Sequence, residues 1–82
     1  MIRFAFYGRL ADVTGRERVL EAPKTPLTVG EAVALLSADD DDLRAALAAT
    51  RVNFALNDRI VGVDQPVAPG DEIAVLPPFS GG

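Results

Sequence analysis

The stretch that decides the fold is the last apolar run of the chain, Glu72-Ile73-Ala74-Val75-Leu76. Its side chains are apolar at both odd and even positions, so both faces of a strand over residues 72–76 are apolar. Such a strand is typical of the centre of a sheet. The opening run Ile2-Arg3-Phe4-Ala5-Phe6-Tyr7 also has a period of two, and its second face is not very polar. We expect these two strands to lie side by side at the centre of one sheet.

A helix is predicted between these strands. Thr28 and Glu31 have the spacing of a capping box, in which the Thr28 hydroxyl accepts from the Glu31 amide and the Glu31 carboxylate accepts from the Thr28 amide. The apolar residues that follow have helical spacing: Val29, Ala32, Val33 and Leu36. This pattern predicts a helix over Val29–Ser37.

Weaker patterns predict the remaining elements. Residues 16–22 form a weaker, edge-type strand, and the segment between Gly8 and Gly15 has room for one helical turn. Residues 52–56 and 60–63 form two strands joined by a turn at Asn57-Asp58. Pro69-Gly70 fits the central positions of a type II turn before the last strand.

The acidic run Asp39-Asp40-Asp41-Asp42 allows two interpretations. It could bind a divalent cation, but it lacks the alternating ligands and the turning glycine of a calcium loop. It could instead cap a short helix over residues 43–49, where carboxylates favour the positive end of the helix dipole. We favour the cap and expect no metal site.

The order strand, strand, helix, strands predicts the fold class. The first hairpin must be antiparallel, and the apolar stripe of the helix must cover one face of the sheet. If the first and last strands are central neighbours, they pair in parallel. The sequence therefore predicts an α+β, ubiquitin-like β-grasp fold, with a mixed sheet of four to five strands and one main helix packed on one face.

Length and composition exclude several classes of function. The chain has 82 residues, a net charge of −4, and neither Cys nor His, so it lacks a thiolate nucleophile, a cysteine zinc site and a histidine base. The negative charge argues against a nucleic-acid partner. No apolar run is long enough to span a membrane and no secretory signal is visible, so we expect a cytoplasmic protein without a membrane partner.

The chain continues past its last strand as Pro77-Pro78-Phe79-Ser80-Gly81-Gly82. We expect a domain over residues 1–77 and an extended tail over 78–82, with the α-carboxylate of Gly82 at its tip. The prolines favour extended geometry, and two glycines can pass through a channel too narrow for other residues. A carboxylate reacts only after activation, for example by transfer of AMP from ATP. The chain has no glycine-rich phosphate loop, so a partner would use the ATP and this chain would bind no cofactor. A frayed end without function is the alternative.

The chain resembles the MoaD/ThiS family of β-grasp sulfur carriers almost from end to end. The specific blocks are Pro69-Gly70-Asp71-Glu72-Ile73-Ala74 and the terminal Pro77-Pro78-Phe79-Ser80-Gly81-Gly82. More generic matches are the opening strand with Gly15, and the segments Thr28-Val29-Gly30-Glu31-Ala32, Phe54-Ala55-Leu56-Asn57 and Ile60-Val61. Within this family the likeness is strongest to the small subunits of molybdopterin synthase.

The resemblance implies a role for each part of the tail. Gly82 would be adenylated by a ubiquitin-activating-type adenylyltransferase and converted to a thiocarboxylate. Gly81 would give clearance, and Pro77 to Ser80 would form the stem. The tail would enter the large synthase subunit and deliver sulfur to cyclic pyranopterin monophosphate. Two carriers would bind a large-subunit dimer, giving a heterotetramer. The large subunit would supply the acid and base groups, so this chain would not be an enzyme by itself.

A docking surface is also expected near the root of the tail. Tyr7 and Leu76 should lie on the sheet face away from the helix, and Ile60 on an adjacent short strand; with Phe79 they would form an apolar patch. Ile60 and Leu76 could instead simply fill the small core. Arg3, Arg9 and Arg59 could form a polar rim, although isolated arginines are usually only solvated.

Other functions remain open at this point, and one of them is a ubiquitin-like protein tag. The chain could carry sulfur for thiamine or another sulfur-containing product, since such carriers share the fold and the glycine pair. It could also be a non-covalent β-grasp interaction module with an idle tail. A sulfur carrier must end at Gly82, whereas an interaction module would tolerate an added residue.

Overall fold

The computed structural model describes residues 1–21 and 26–78 of the chain. In chain order these residues form β1 Ile2–Phe6, α1 Arg9–Thr14, β2 Glu17–Leu20, β3 Leu27–Thr28, α2 Val29–Ser37, α3 Asp41–Ala49, β4 Asn53–Leu56, β5 Arg59–Val61, β6 Pro66–Val67 and β7 Glu72–Leu76. Five strands form one mixed sheet in the order β2-β1-β7-β4-β5, and β3 pairs with β6 separately. The predicted α+β, ubiquitin-like β-grasp fold is confirmed.

The first and last strands lie together at the centre of the sheet, as predicted. β1 runs parallel to β7, with Phe4 opposite Ile73 and Phe6 opposite Val75. β4 pairs antiparallel with the other edge of β7. The first hairpin, β1 with β2, is antiparallel. β7 is therefore bonded on both edges, and the strand that leads into the tail lies in the interior of the sheet.

The core lies between the helices and one face of the sheet, called here the inner face. Its sheet residues are Ile2, Phe4, Phe6, Ile73 and Val75, each no more than 2% exposed. The rings of Phe4 and Phe6 stack with their centroids 6.3 Å apart. Burying large apolar side chains in this layer is the main stabilising contribution to the fold.

The predicted main helix α2 is accompanied by the predicted short helix after the acidic run and by a helix in the segment between Gly8 and Gly15, so three helices cover the inner face. α2 and α3 each have nine residues, and α1 has six. Each helix buries residues in the core: Leu10 from α1, Val29 and Ala32 from α2, and Leu43 from α3. A single nine-residue helix is about 14 Å long and cannot cover a five-stranded sheet alone.

The start of α2 is built as the sequence predicts and is held by an unpredicted loop. Thr28 Oγ1 accepts from the Glu31 amide at 3.1 Å, and the Thr28 amide donates to Glu31 Oε1 at 2.9 Å. The next two amides, of Val29 and Gly30, donate to the carbonyls of Gln65 and Val63 at 2.9 and 2.8 Å. The small β3–β6 sheet continues this contact, so the loop after β5 is anchored to the helix.

The two predicted turns lie at the end of the sheet away from the tail. Asn57 and Asp58 have φ of 48° and 71°, as a two-residue type I′ hairpin between β4 and β5 requires. Gly70 has φ of 91°, and the Asp71 amide donates to the Ala68 carbonyl at 3.1 Å, as expected for a type II turn.

Candidate functional site

The root of the tail lies at the end of β7. The strand ends at Leu76, and both Pro77 and Pro78 are exposed. The proposed tip of the tail, Phe79, Ser80, Gly81 and Gly82, lies outside the described residues. The division into a domain over 1–77 and a tail over 78–82 therefore stays a prediction.

Gly8 supports the tail root, and sequence reasoning assigned it only to the start of a loop. The Tyr7 amide donates to the Val75 carbonyl at 3.2 Å, so the chain after β1 continues beside β7. The backbone then turns at Gly8, whose φ of 69° lies in a region that residues other than glycine rarely adopt. A Cβ atom on Gly8 would lie 3.4 to 3.7 Å from three atoms of the Pro77 ring. The Pro77 ring therefore packs against the backbone of Gly8, with no side chain between them.

A hollow of about 370 Å³ lies beside this contact. It is lined by Tyr7, Gly8, Arg9, Leu10, Thr50, Val52, Pro77 and Pro78. These residues come from the start of α1, from the segment that joins α3 to β4, and from the tail root. The hollow thus marks the point at which three parts of the chain meet around the first residues of the tail.

The predicted docking residues share the sheet face away from the helices, called here the outer face. Tyr7 is 51% exposed and Ile60 is 55% exposed, while Leu76 is partly buried. Leu76 lies opposite Asn53, and Ile60 lies opposite Ala55, so β4 separates Ile60 from the two central strands. Ile60 is thus one strand further out than expected. Phe79, the fourth member of the predicted patch, lies outside the described residues.

Between Tyr7, Leu76 and Ile60, the outer face of the sheet carries three alanines. Ala5, Ala74 and Ala55 lie opposite one another on three neighbouring strands. With Tyr7 and Leu76 at the tail end and Ile60 at the side, they make a shallow apolar surface. The three alanines leave no bulky side chain between Tyr7, Leu76 and Ile60 on this face.

The three arginines suggested as a rim do not lie together. Arg3 lies opposite Glu72, and Arg59 opposite Leu56, both towards the end of the sheet away from the tail. Arg9 lines the hollow at the tail root. The structure therefore separates Arg9 from the other two.

The acidic run acts as a helix cap, as the sequence favoured. The Asp40 carboxylate accepts from the Leu43 amide at 3.0 Å, and its other oxygen accepts from Arg18 at 3.0 Å. The hydrogen bond from the Leu43 amide makes the largest contribution to lowering the pKa of Asp40, and the hydrogen bond from Arg18 makes the second largest. Within residues 1–21 and 26–78, no group of three or more acidic side chains is arranged to hold a metal ion. The helices described there are also all too short or too polar to cross a membrane.

Comparison with known proteins yields consistent matches over the whole chain. The model of the ThiS family matches residues 4–82. The molybdopterin synthase sulfur carrier subunit of Escherichia coli is 30% identical over 82 residues, covering 100% of both chains. The crystal structure of SAMP1 from Haloferax volcanii superposes with a TM-score of 0.80 at 26% identity, covering 99% of this chain and 98% of that one.

A third match is to one chain of a complex. The structure is the protein–protein complex of subunits 1 and 2 of the molybdopterin-converting factor from Helicobacter pylori. The TM-score is 0.67 and the identity is 26%, with 99% of this chain and 97% of that one covered.

Proposed function

Because the chain belongs to the ThiS family of β-grasp sulfur carriers, we propose that it is the sulfur-carrying small subunit of a molybdopterin synthase. The Escherichia coli relative that bears this name matches along the entire chain, which supports the choice of pathway. The observation that carries the proposal is the position of the tail root: exposed Pro77 and Pro78 follow a central strand that is bonded on both edges.

The proposed chemistry takes place on the α-carboxylate of Gly82 and requires Gly82 to be the C-terminal residue of the active protein. A carboxylate oxygen attacks the α-phosphorus of ATP and pyrophosphate leaves, giving an acyl adenylate. A hydrosulfide-equivalent nucleophile then attacks the acyl carbon, AMP leaves, and a thiocarboxylate remains. A ubiquitin-activating-type adenylyltransferase supplies the ATP site. This chain supplies the acyl group, and Gly81 supplies a backbone without a side chain.

The second half of the proposal is sulfur delivery. The tail enters a pocket of the large synthase subunit and transfers its sulfur to cyclic pyranopterin monophosphate. Two carriers serve a dimer of large subunits, giving a heterotetramer. The two-subunit Helicobacter pylori complex supports an assembly of this type. The chain contains neither His nor Cys, which fits acid and base groups supplied by the large subunit.

The outer face provides the docking surface in this proposal. Tyr7, Leu76 and Ile60 lie on the face that the helices leave uncovered, and Tyr7 contacts the hollow at the tail root. Phe79 would extend the same patch along the tail. The tail would therefore enter such a partner at the margin of the interface that covers the outer face. Contact with the body of the carrier would limit how far the tail is inserted.

Intact mass spectrometry tests the first half of the proposal. The full chain is incubated with ATP, its cognate activating enzyme and a sulfur source. We expect the mass increase of one oxygen replaced by sulfur, confined to the C-terminal peptide. A variant with one residue added after Gly82 should not change. If the unmodified chain also stays unchanged with every cognate activating enzyme, the proposal is wrong.

A second assay separates the pathways. The thiocarboxylated chain is mixed with the large synthase subunit and cyclic pyranopterin monophosphate, or with the thiazole-forming enzymes of thiamine synthesis. We expect loss of the thiocarboxylate and formation of the dithiolene only in the first mixture. Turnover only in the second would assign the chain to thiamine synthesis. A chain that binds partners but never accepts sulfur would be an interaction module.

A further inference from the structure

Two arginines flank the root of the tail. Phe6 lies opposite Val75 in the parallel ladder and Gly8 contacts Pro77, so α1 begins at Arg9 next to the root of the tail. Arg9 and Pro78 indeed line the same hollow.

The second arginine approaches from the opposite edge of β7. In the antiparallel ladder Asn53 lies opposite Leu76, so a continuation by two residues brings Arg51 beside Pro78. Thr50 and Val52 both line the hollow, and the Thr50 backbone is extended with φ of −129° and ψ of 136°. Side chains alternate along extended backbone, so Arg51 projects to the side of Asn53, which is the outer face.

Neither of these two arginines forms an ion pair with another side chain in the described part of the chain. Both residues are exposed. Within the described part of the chain, ion pairs join Arg18 to Asp40 and Arg44 to Asp41, and no carboxylate lies within 4.0 Å of Arg9 or Arg51. The chain as a whole carries a net charge of −4, so the tail root is a basic point on an acidic protein.

We propose that Arg9 and Arg51 form a basic clamp that docks on an acidic rim around the pocket into which a protein partner takes the tail. This proposal rests on the proposed function, because it requires a partner that receives the tail. The clamp lies where any such partner must close around the chain. Opposite charges at this position would speed association and fix the register of insertion.

Distance favours an acidic protein surface over the phosphates of a nucleotide. Gly82 follows Pro78 by four residues, so in an extended tail its carboxylate lies up to about 14 Å beyond the clamp. The side chain of an arginine is much shorter than this. With the tail extended, the clamp would therefore lie at the pocket entrance while the activated carboxylate and its AMP group would lie deeper inside.

Nuclear magnetic resonance of the full-length labelled chain tests the clamp without any enzyme. The probe is a blocked peptide that alternates Glu and Ala, compared with one that alternates Lys and Ala and with ATP. We expect the glutamate peptide to shift the amides of Arg9 and of residues 50–52, and added salt to abolish the shifts. The Arg9→Glu/Arg51→Glu variant should lose them, whereas Arg9→Lys/Arg51→Lys should retain them.

The matched control is Arg44→Glu/Arg59→Glu, the same total charge change at two other exposed arginines, on α3 and β5, which should leave the shifts intact. Shifts at the clamp with ATP but not with the glutamate peptide would overturn the proposal in favour of a phosphate site. No shifts with either probe would also overturn it.

Stopped-flow association with the large subunit or the activating enzyme gives a second, independent measurement. The Arg9→Glu/Arg51→Glu variant should associate at least about tenfold more slowly at low salt, with little difference at high salt. Arg44→Glu/Arg59→Glu, with the same total charge change, should have a much smaller effect. If the unmodified chain binds neither partner, the proposed function fails, and the peptide titration still decides the clamp.

Discussion

Replacing Ile60 by alanine tests whether the outer face docks on a partner. Ile60 is 55% exposed and lies on β5, at the edge of the sheet. Fully burying an isoleucine side chain stabilises by about 1.5–3 kcal/mol, so covering its exposed part contributes about 0.8–1.6 kcal/mol. Ile60→Ala should therefore weaken binding to the large subunit by about 4- to 15-fold. The fold itself should lose no more than about 0.5 kcal/mol, as is usual for a surface substitution.

Titration calorimetry with the large subunit measures the loss, and thermal unfolding checks the fold. Val63→Ala is the matched control, because Val63 is 57% exposed but lies in the loop that receives the start of α2. Its affinity should stay within about twofold of the unmodified chain, since it lies away from the outer face. Equal affinities for Ile60→Ala and the unmodified chain would refute docking through the outer face. Equal losses for both variants would show that the effect is not specific to that face.

Three further predictions concern the tail and the body. One residue added after Gly82 should abolish thiocarboxylate formation, measured by intact mass, and leave the melting temperature unchanged. Thr28→Ala removes a helix cap and should cost about 1 kcal/mol, which lowers the melting temperature by about 4–8 °C. The hydrogen bond from the Ala68 amide, and to a smaller extent the one from the Asn57 side chain, lowers the pKa of Asp71 below its ordinary value of 3.8. The ionised carboxylate therefore stabilises the fold above that pH. The contribution is lost as the pH falls through the lowered pKa, and Asp71→Asn should flatten the acid limb of stability against pH.

The elements that the sequence predicted best have several periodic residues and matching ends. β1 alternates its apolar positions, β7 is apolar on both faces, and α2 combines a capping box with an apolar stripe. The same period of two correctly placed Tyr7 and Leu76 on one face. These patterns depend on local geometry, which a sequence encodes directly.

The features that the sequence did not reveal depend on contacts between distant residues. β3 and β6 have two residues each, too few for any period, and they form because they meet each other. α1 has six residues, longer than the single predicted turn; its Leu10 is buried in the core, which depends on the assembled sheet, and Thr14 Oγ1 donates to the Leu10 carbonyl at 3.0 Å. The contact of Gly8 with Pro77 follows from the parallel register of β1 and β7, which only the assembled sheet defines. No local signal at Gly8 could have indicated it.

The attachment of the tail to β7 has a mechanical consequence. A tail on an edge strand could peel away from the sheet, since only one row of hydrogen bonds would hold the strand. β7 is paired on both sides, by β1 and β4, and Ile73 and Val75 are fully buried. A pull on the tail therefore acts on a buried strand that is hydrogen-bonded along both edges, a position that resists local opening. Under the proposed function, a partner would draw the residues beyond Leu76 into its channel without displacing β7 from the sheet. The carrier needs rigidity at the root more than reactive side chains, which is consistent with a chain that contains no His and no Cys.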